Sequence, residues 1–270
     1  MNTTDLDCRR AIMLKGKSGV GKTSQARTLV HADLGVSGGK SFGLEPFKIL
    51  YVSSERKWVS IKDLHPDVFP VTHFDFPLDT PEKKMILSQC KEAGLNSLIE
   101  AFDIIRFEDH DYDVMYMDSG MRYSMKVLEH LIATTFSKEG NRDTLRAYGL
   151  YARKMKMMLD KIGDLTDPTV CKRPVHVVFT WGSDSGQVIV EGQKVGPLVD
   201  YFFDDVLYLA TRSGKDGNPE YIMETQTRSG NFEAKVSNPT VKLPPVIANP
   251  NLFQIINILD GKLELGGGAK

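Results

Sequence analysis

Four short runs along the chain are apolar on both strand faces, or nearly so: AIML at 11–14, ILYV at 49–52, VMYM at 114–117 and VHVVFT at 175–180. A strand with one wet face alternates apolar and polar residues. Runs without that alternation predict strands of a parallel sheet covered by helices on both sides. Helix-like stretches separate them and predict helices over 22–32, 81–102, 122–136 and 144–165. Strands alternating with helices predict a three-layer α/β domain, a mainly parallel sheet flanked by helices.

Beyond residue 185 the pattern changes. QVIVEGQKVG and the stretch 208–236 are short β-like runs broken by Gly, Asn and Asp, which predicts antiparallel hairpins. No Pro/Ser-rich linker sets them apart, so they are expected to extend the same sheet. Residues 1–250 are expected to form a single domain, with a C-terminal helix and flexible tail over 251–270.

Composition narrows this little. The 270 residues are 41% hydrophobic and 26% charged, enough to bury a sizeable core. The net charge of −1 gives no global pull toward nucleic acid, so any such binding needs a local patch or an assembly. Cys8, Cys90 and Cys171 are too few and too scattered for a disulfide framework or zinc site, and fit a reducing cytoplasm. No secretory signal and no run of membrane-spanning length is visible, so a soluble intracellular protein without a membrane partner is expected.

The chemistry starts at Gly16-x4-Gly21-Lys22-Thr23, a full P-loop pattern between a predicted strand and a predicted helix. Glycines let the backbone N–H groups of 16–24 (Gly16, Lys17, Ser18, Gly19, Val20, Gly21, Lys22, Thr23, Ser24) turn inward around phosphates. Lys22 is expected to reach the β- and γ-phosphates and Thr23 to ligate Mg²⁺. Asp118 ends VMYM in the form of a Walker B carboxylate, able to support the metal; the alternative is a cap on the next helix, which Ser119 or Gly120 would serve as well. Glu55, after ILYVSS, is either a general base for the attacking water or a solvated charge beside Arg56 and Lys57. Thr180 either faces the γ-phosphate or satisfies local backbone at its strand end. Trp181 is read as core packing, with a stacking surface as the alternative. FEDHDYD, at 107–113, reads as a solvated loop. Arg228 and Lys235 fall on expected hairpin tips, from which a basic residue can reach a neighbouring subunit's phosphate or a nucleic-acid backbone.

Motif order and the segment VEGQKVGPLVDYFFDDVLYLA at 190–210, with Phe203, Asp204, Asp205 and Val206 in an FD-x-V pattern, resemble the short RecA-core ATPases of bacteriophages. These include phage recombinases that act with single-strand-binding protein. The resemblance covers about residues 10–247. It implies a RecA-like P-loop NTPase using ATP and Mg²⁺, oligomers with the nucleotide at the subunit interface, single-stranded DNA as partner, and the cytoplasm of an infected host. By position it assigns Lys22 and Thr23 to phosphate and metal, Asp118 to metal support, and Glu55 to the base. One departure stands out: where the family carries a Lys-x-Arg pair, this chain reads Lys235-Val236-Ser237. Two other readings stay open: a small-molecule kinase with a lid built on Arg142 and Arg146, or a non-catalytic ATP-binding loader.

Overall fold

The computed structural model describes residues 9–30, 44–53, 98–184, 187–191, 195–227 and 234–264. The chain runs β1 (Ala11–Gly16), α1 (Gln25–Val30), β2 (Ile49–Ser53), α2 (Leu98–Phe107), β3 (Val114–Asp118), α3 (Gly120–Thr134) and α4 (Thr144–Thr166). Then come β4 (His176–Asp184), β5 (Gln187–Val188), α5 (Gly196–Val199), a 3-10 turn, β6 (Asp205–Ser213), β7 (Pro219–Glu224), β8 (Val246–Ala248) and α6 (Leu252–Leu259).

The sheet order is β2-β3-β4-β1-β6-β7-β8, with β5 paired to β4 off that path. The first five strands are parallel, and β7 and β8 add antiparallel to them. The layout is a mainly parallel sheet flanked by helices, with an antiparallel C-terminal extension.

The hairpin expected beyond residue 208 is present as β6 antiparallel to β7, and residues 205–208 of β6 in addition make it a core strand parallel to β1. Asp204 explains the placement: its carboxylate accepts from Ala11 N at 2.8 Å and its N–H donates to Ala11 O at 2.8 Å, pinning β6 beside the start of β1. Of the hairpin expected at 187–196, the described residues show the two-residue β5 antiparallel to β4, continued by Ile189, whose N–H donates to Gly182 O and whose carbonyl accepts from Trp181 Nε1, both at 2.8 Å. Of the helix expected over 81–102, residues 81–97 lie outside the described residues.

Strand alternation sorts the core into two layers. Met13, Met115, Met117, Phe179 and Trp181 face α3 and α4. Ile12, Leu14, Tyr51, Tyr116, Val178 and Leu207 face the other way, onto α1 and α6. Trp181 is fully buried and packs on α3, where a Cβ at Gly120 would lie 2.3 Å from its ring. The core-packing reading of that tryptophan therefore holds. Leu252, Phe253, Ile255, Ile256 and Leu259 bury α6 in the second layer.

The P-loop follows the C-terminal end of β1, and α4 runs away from that edge. Its Tyr151 lies beside Ser124 of α3 and beside Glu191, which follows β4 and β5. Its last turn reaches the opposite edge, where Arg9 N donates to Thr166 O and Arg106 pairs with Asp164. The first two turns of α4, with the end of α3 and the hairpin between them, therefore project past the edge that carries the P-loop. Among the described residues no helix is long and apolar enough to cross a membrane.

Candidate nucleotide site

Gly16 ends β1 because nothing larger fits: a Cβ there would lie 2.3 Å from Leu209 O on β6. Gly19 and Gly21 have φ of +82° and +87°, which side-chain-bearing residues rarely adopt. Between them Val20 turns its side chain into the core, while Lys17, Ser18 and Ser24 stay exposed. Lys22 Nζ arches over the loop and donates to Gly16 O and Lys17 O, both at 2.7 Å.

Three hydroxyls converge on the Asp118 carboxylate, which is 5% exposed. Thr23 Oγ1 and Tyr51 Oη donate to Oδ2 and Thr180 Oγ1 donates to Oδ1, each at 2.6 Å. They come from the P-loop, β2 and β4, so one side chain ties three elements together. The cap alternative for Asp118 falls away, because Ser119 caps α3 by accepting from Arg122 N at 3.3 Å.

Beneath this cluster Tyr51 and Tyr116 sit opposite each other in register and stack, ring centroids 5.5 Å apart at 11°. Tyr116 donates to Lys22 O at 2.5 Å. Burial raises its phenol well above the ordinary tyrosine range and the Asp118 charge adds to that, so it stays a neutral donor. Above lies a cleft of about 460 Å³, lined by Ser18, Gly19, Gly21, Lys22, Thr23 and Ser24, by Asp118, Ser119 and Met121, and by Gly182, Ser183, Ile189 and Tyr221. The model of the AAA domain family AAA_24 matches residues 9–235 of this chain.

The chain belongs to the AAA domain family. Two solved structures are similar to it. One is a KaiC-like protein from the hyperthermophilic archaeon Pyrococcus horikoshii OT3, at 10% identity and a TM-score of 0.44, covering 89% of this chain and 90% of that one. The other is the flagellar accessory protein FlaH from Methanocaldococcus jannaschii, at 11% identity and a TM-score of 0.43, covering 90% and 85%. No protein of curated function matches.

The donors in this AAA domain fit one cation type. Among the described residues no group of three or more His, Cys, Asp or Glu side chains gathers. A hydroxyl and a carboxylate side by side, Thr23 and Asp118, suit a hard cation such as Mg²⁺, which keeps waters and takes phosphate oxygens as its other ligands. They do not suit a metal that needs an all-protein cage.

Other expected site residues lie elsewhere. Glu55 and Arg228 fall outside the described residues. Lys235 is exposed and bridges to Val206, level with Met13 and not with the loop, so it does not line this cleft. Arg142 and Arg146 do not line it either. They do not share a helix face, because Asp143 caps α4 by accepting from Arg146 N at 3.0 Å and leaves Arg142 in the preceding hairpin. Sequence reading missed Tyr51, Tyr116, Ser183 and Tyr221. Strand parity puts Tyr116 on the same face as Asp118 two residues on, but only the register of β2 against β3 brings Tyr51 opposite it.

Proposed function

We propose that this AAA domain protein binds Mg-ATP in the cleft, hydrolyses it, and couples the cycle to single-stranded DNA. One observation carries the nucleotide half: the P-loop threonine and a hydroxyl from β4 meet on the same buried carboxylate. Lys22 and the inward N–H groups of the loop hold the β- and γ-phosphates. Thr23 and Asp118 hold magnesium, which neutralises charge developing on the phosphate oxygens when bound. Thr180, fully buried and tied to Asp118, keeps that carboxylate aimed. Glu55 is the base that orients water, by resemblance.

The DNA half is supported by the projecting arm. Arg142 and Lys138 lie on its hairpin and Arg146 in its part of α4, and Arg153 and Lys156 continue along the same helix below it; all five are exposed. Arg142, Arg146, Arg153 and Lys156 have no ion-pair partner among the described residues. Phe136, Leu145 and Tyr148 lie exposed among them at 48%, 86% and 38%. Basic side chains that follow a backbone, interleaved with rings for bases, are the means by which single strands are held. Phage recombination or replication is the setting the sequence resemblance implies. It also implies oligomers in which Arg228 or Lys235 acts on a neighbour's nucleotide, and a single-strand-binding protein as a further partner.

The test is ATP hydrolysis by purified protein with and without Mg²⁺ and single-stranded DNA, beside a mobility shift with labelled strands. Stimulated turnover and a shift are expected, and both are lost in Lys22→Ala with ATP-dependent binding. Absence of stimulation and shift removes the DNA half. Full turnover in Lys22→Ala removes the site.

A further inference from the structure

We propose that Tyr221 is the nucleobase platform of the cleft, its ring face stacking on the base of the bound nucleoside triphosphate. The proposal rests on the nucleotide reading above and adds the direction in which the nucleotide lies.

The sheet order supplies that direction. The P-loop strand β1 has β4 and then β3 on one side, and β6 and then β7 on the other. Asp118 ends β3 and Tyr221 sits within β7, so the two stand two strands away from β1 on opposite flanks. Both line the same cleft. The metal-bearing end of a triphosphate belongs at Asp118 and Thr180. With the phosphates wound round the loop, the nucleoside leaves over the other flank, where Tyr221 stands.

Tyr221 suits that position. Its neighbours Ile222 and Met223 are buried, whereas Tyr221 is 43% exposed. Its strand is held on both sides: Tyr221 pairs in register with Thr211 of β6, and its carbonyl accepts from Asn249 N at 2.7 Å. The ring edge lies 3.5 Å from where a Cβ at Gly21 would stand, ordinary contact distance, so the ring sits directly beside the phosphate loop. A rigid, part-exposed aromatic beside a phosphate loop offers a π-face that any base can cover, without reading its hydrogen-bonding edge. The ligand class is therefore a nucleoside triphosphate held by stacking, with Tyr221 itself indifferent to adenine or guanine.

The competing role is a prop that only packs against Gly21. Tyr221→Ala and Tyr221→Phe separate the two when titrated with Mg-ATP, Mg-GTP, inorganic tripolyphosphate and the triphosphate of 2-aminopurine riboside, whose fluorescence is quenched on stacking. Wild type and Tyr221→Phe are expected to quench the probe. Tyr221→Ala is expected to lose the quench and to weaken ATP and GTP alike by about tenfold or more, with tripolyphosphate unchanged. Equal weakening of ATP and tripolyphosphate makes Tyr221 a prop and overturns the proposal. Unchanged ATP affinity and quench place the base elsewhere and overturn it too. Wild-type protein that binds neither ATP nor tripolyphosphate overturns the nucleotide reading itself, and the proposal with it.

Discussion

The phenol of Tyr51 donates to the carboxylate of Asp118 at 2.6 Å, from one strand to the next in the same sheet. Thr23 donates to the same oxygen, whereas Thr180 takes the other. When a cation draws Thr23 and Asp118 to itself, Tyr51 and Thr180 are the donors that still hold the carboxylate. Tyr51→Phe keeps the ring stacked on Tyr116 and removes one of them. A hydrogen bond to a charged group is worth about 1.5–3 kcal/mol, so the Mg²⁺ midpoint for nucleotide binding is expected to rise about tenfold. Affinity in EDTA should stay put. A variant with an unshifted Mg²⁺ midpoint would show that Tyr51 only fills space.

Thr180→Val tests the other oxygen. Valine matches threonine in shape, and the site is fully buried, so the change leaves Asp118 Oδ1 one donor short. Loss of a preorganised donor at a charged reaction centre costs about 10²-fold or more in kcat. Turnover is expected to fall with KM little moved, measured under saturating Mg²⁺. A raised KM at full kcat would place Thr180 in ground-state binding instead.

The three-layer sheet, the P-loop and Asp118 were legible because each depends on local pattern: apolar runs, glycine spacing, a carboxylate at a strand end. Tyr51 and Tyr116 were not, because a tyrosine inside an apolar run counts as one more buried ring until its register partner is known. Tyr221 was hidden differently. Its strand looks like a hairpin arm, and only the crossover that places β6 against β1 carries that arm to the P-loop. The parallel pairing of β6 is itself nonlocal, since it rests on Asp204 gripping Ala11 across 193 positions.

Glycines in the helices separate tight packing from open surface. A Cβ at Gly120 would stand 2.3 Å from the Trp181 ring, so Gly120→Ala is expected to cost about 1–3 kcal/mol through overpacking. Gly149 and Gly163 of α4 are exposed, and a methyl group at either would meet nothing within 4 Å. Alanine at either should stabilise by about 0.5–1 kcal/mol. Urea unfolding of the three variants reads both signs. Matching losses at 120 and 149 would contradict the packing argument.

Charge reversal along α4 tests the DNA half. Arg146→Glu with Arg153→Glu removes two exposed cations from one face of α4. Each phosphate contact to a single strand contributes about 0.7 to the slope of log affinity against log salt, so the slope should fall by about 1.4. Affinity should drop most at low salt, with far-ultraviolet circular dichroism unchanged. An unaltered salt slope would move DNA to another surface.

Lys15 raises a separate question of stability, since it is a lysine with no exposure at all in a central parallel strand. Its ammonium is held by Asp200 at 2.7 Å, from the 3-10 turn that leads into β6. Asp200 keeps 17% of its side chain exposed, so the two partners are unequal. Removing the carboxylate strands a charge with no access to water, and breaking such a buried pair costs about 3–5 kcal/mol. Removing the lysine leaves a carboxylate that still touches solvent. Asp200→Ala is therefore expected to destabilise far more than Lys15→Met, and the double variant to recover most of the loss. The midpoints of urea unfolding for the three proteins decide it. Equal losses in the two single variants would mean that the pair contributes by shape alone.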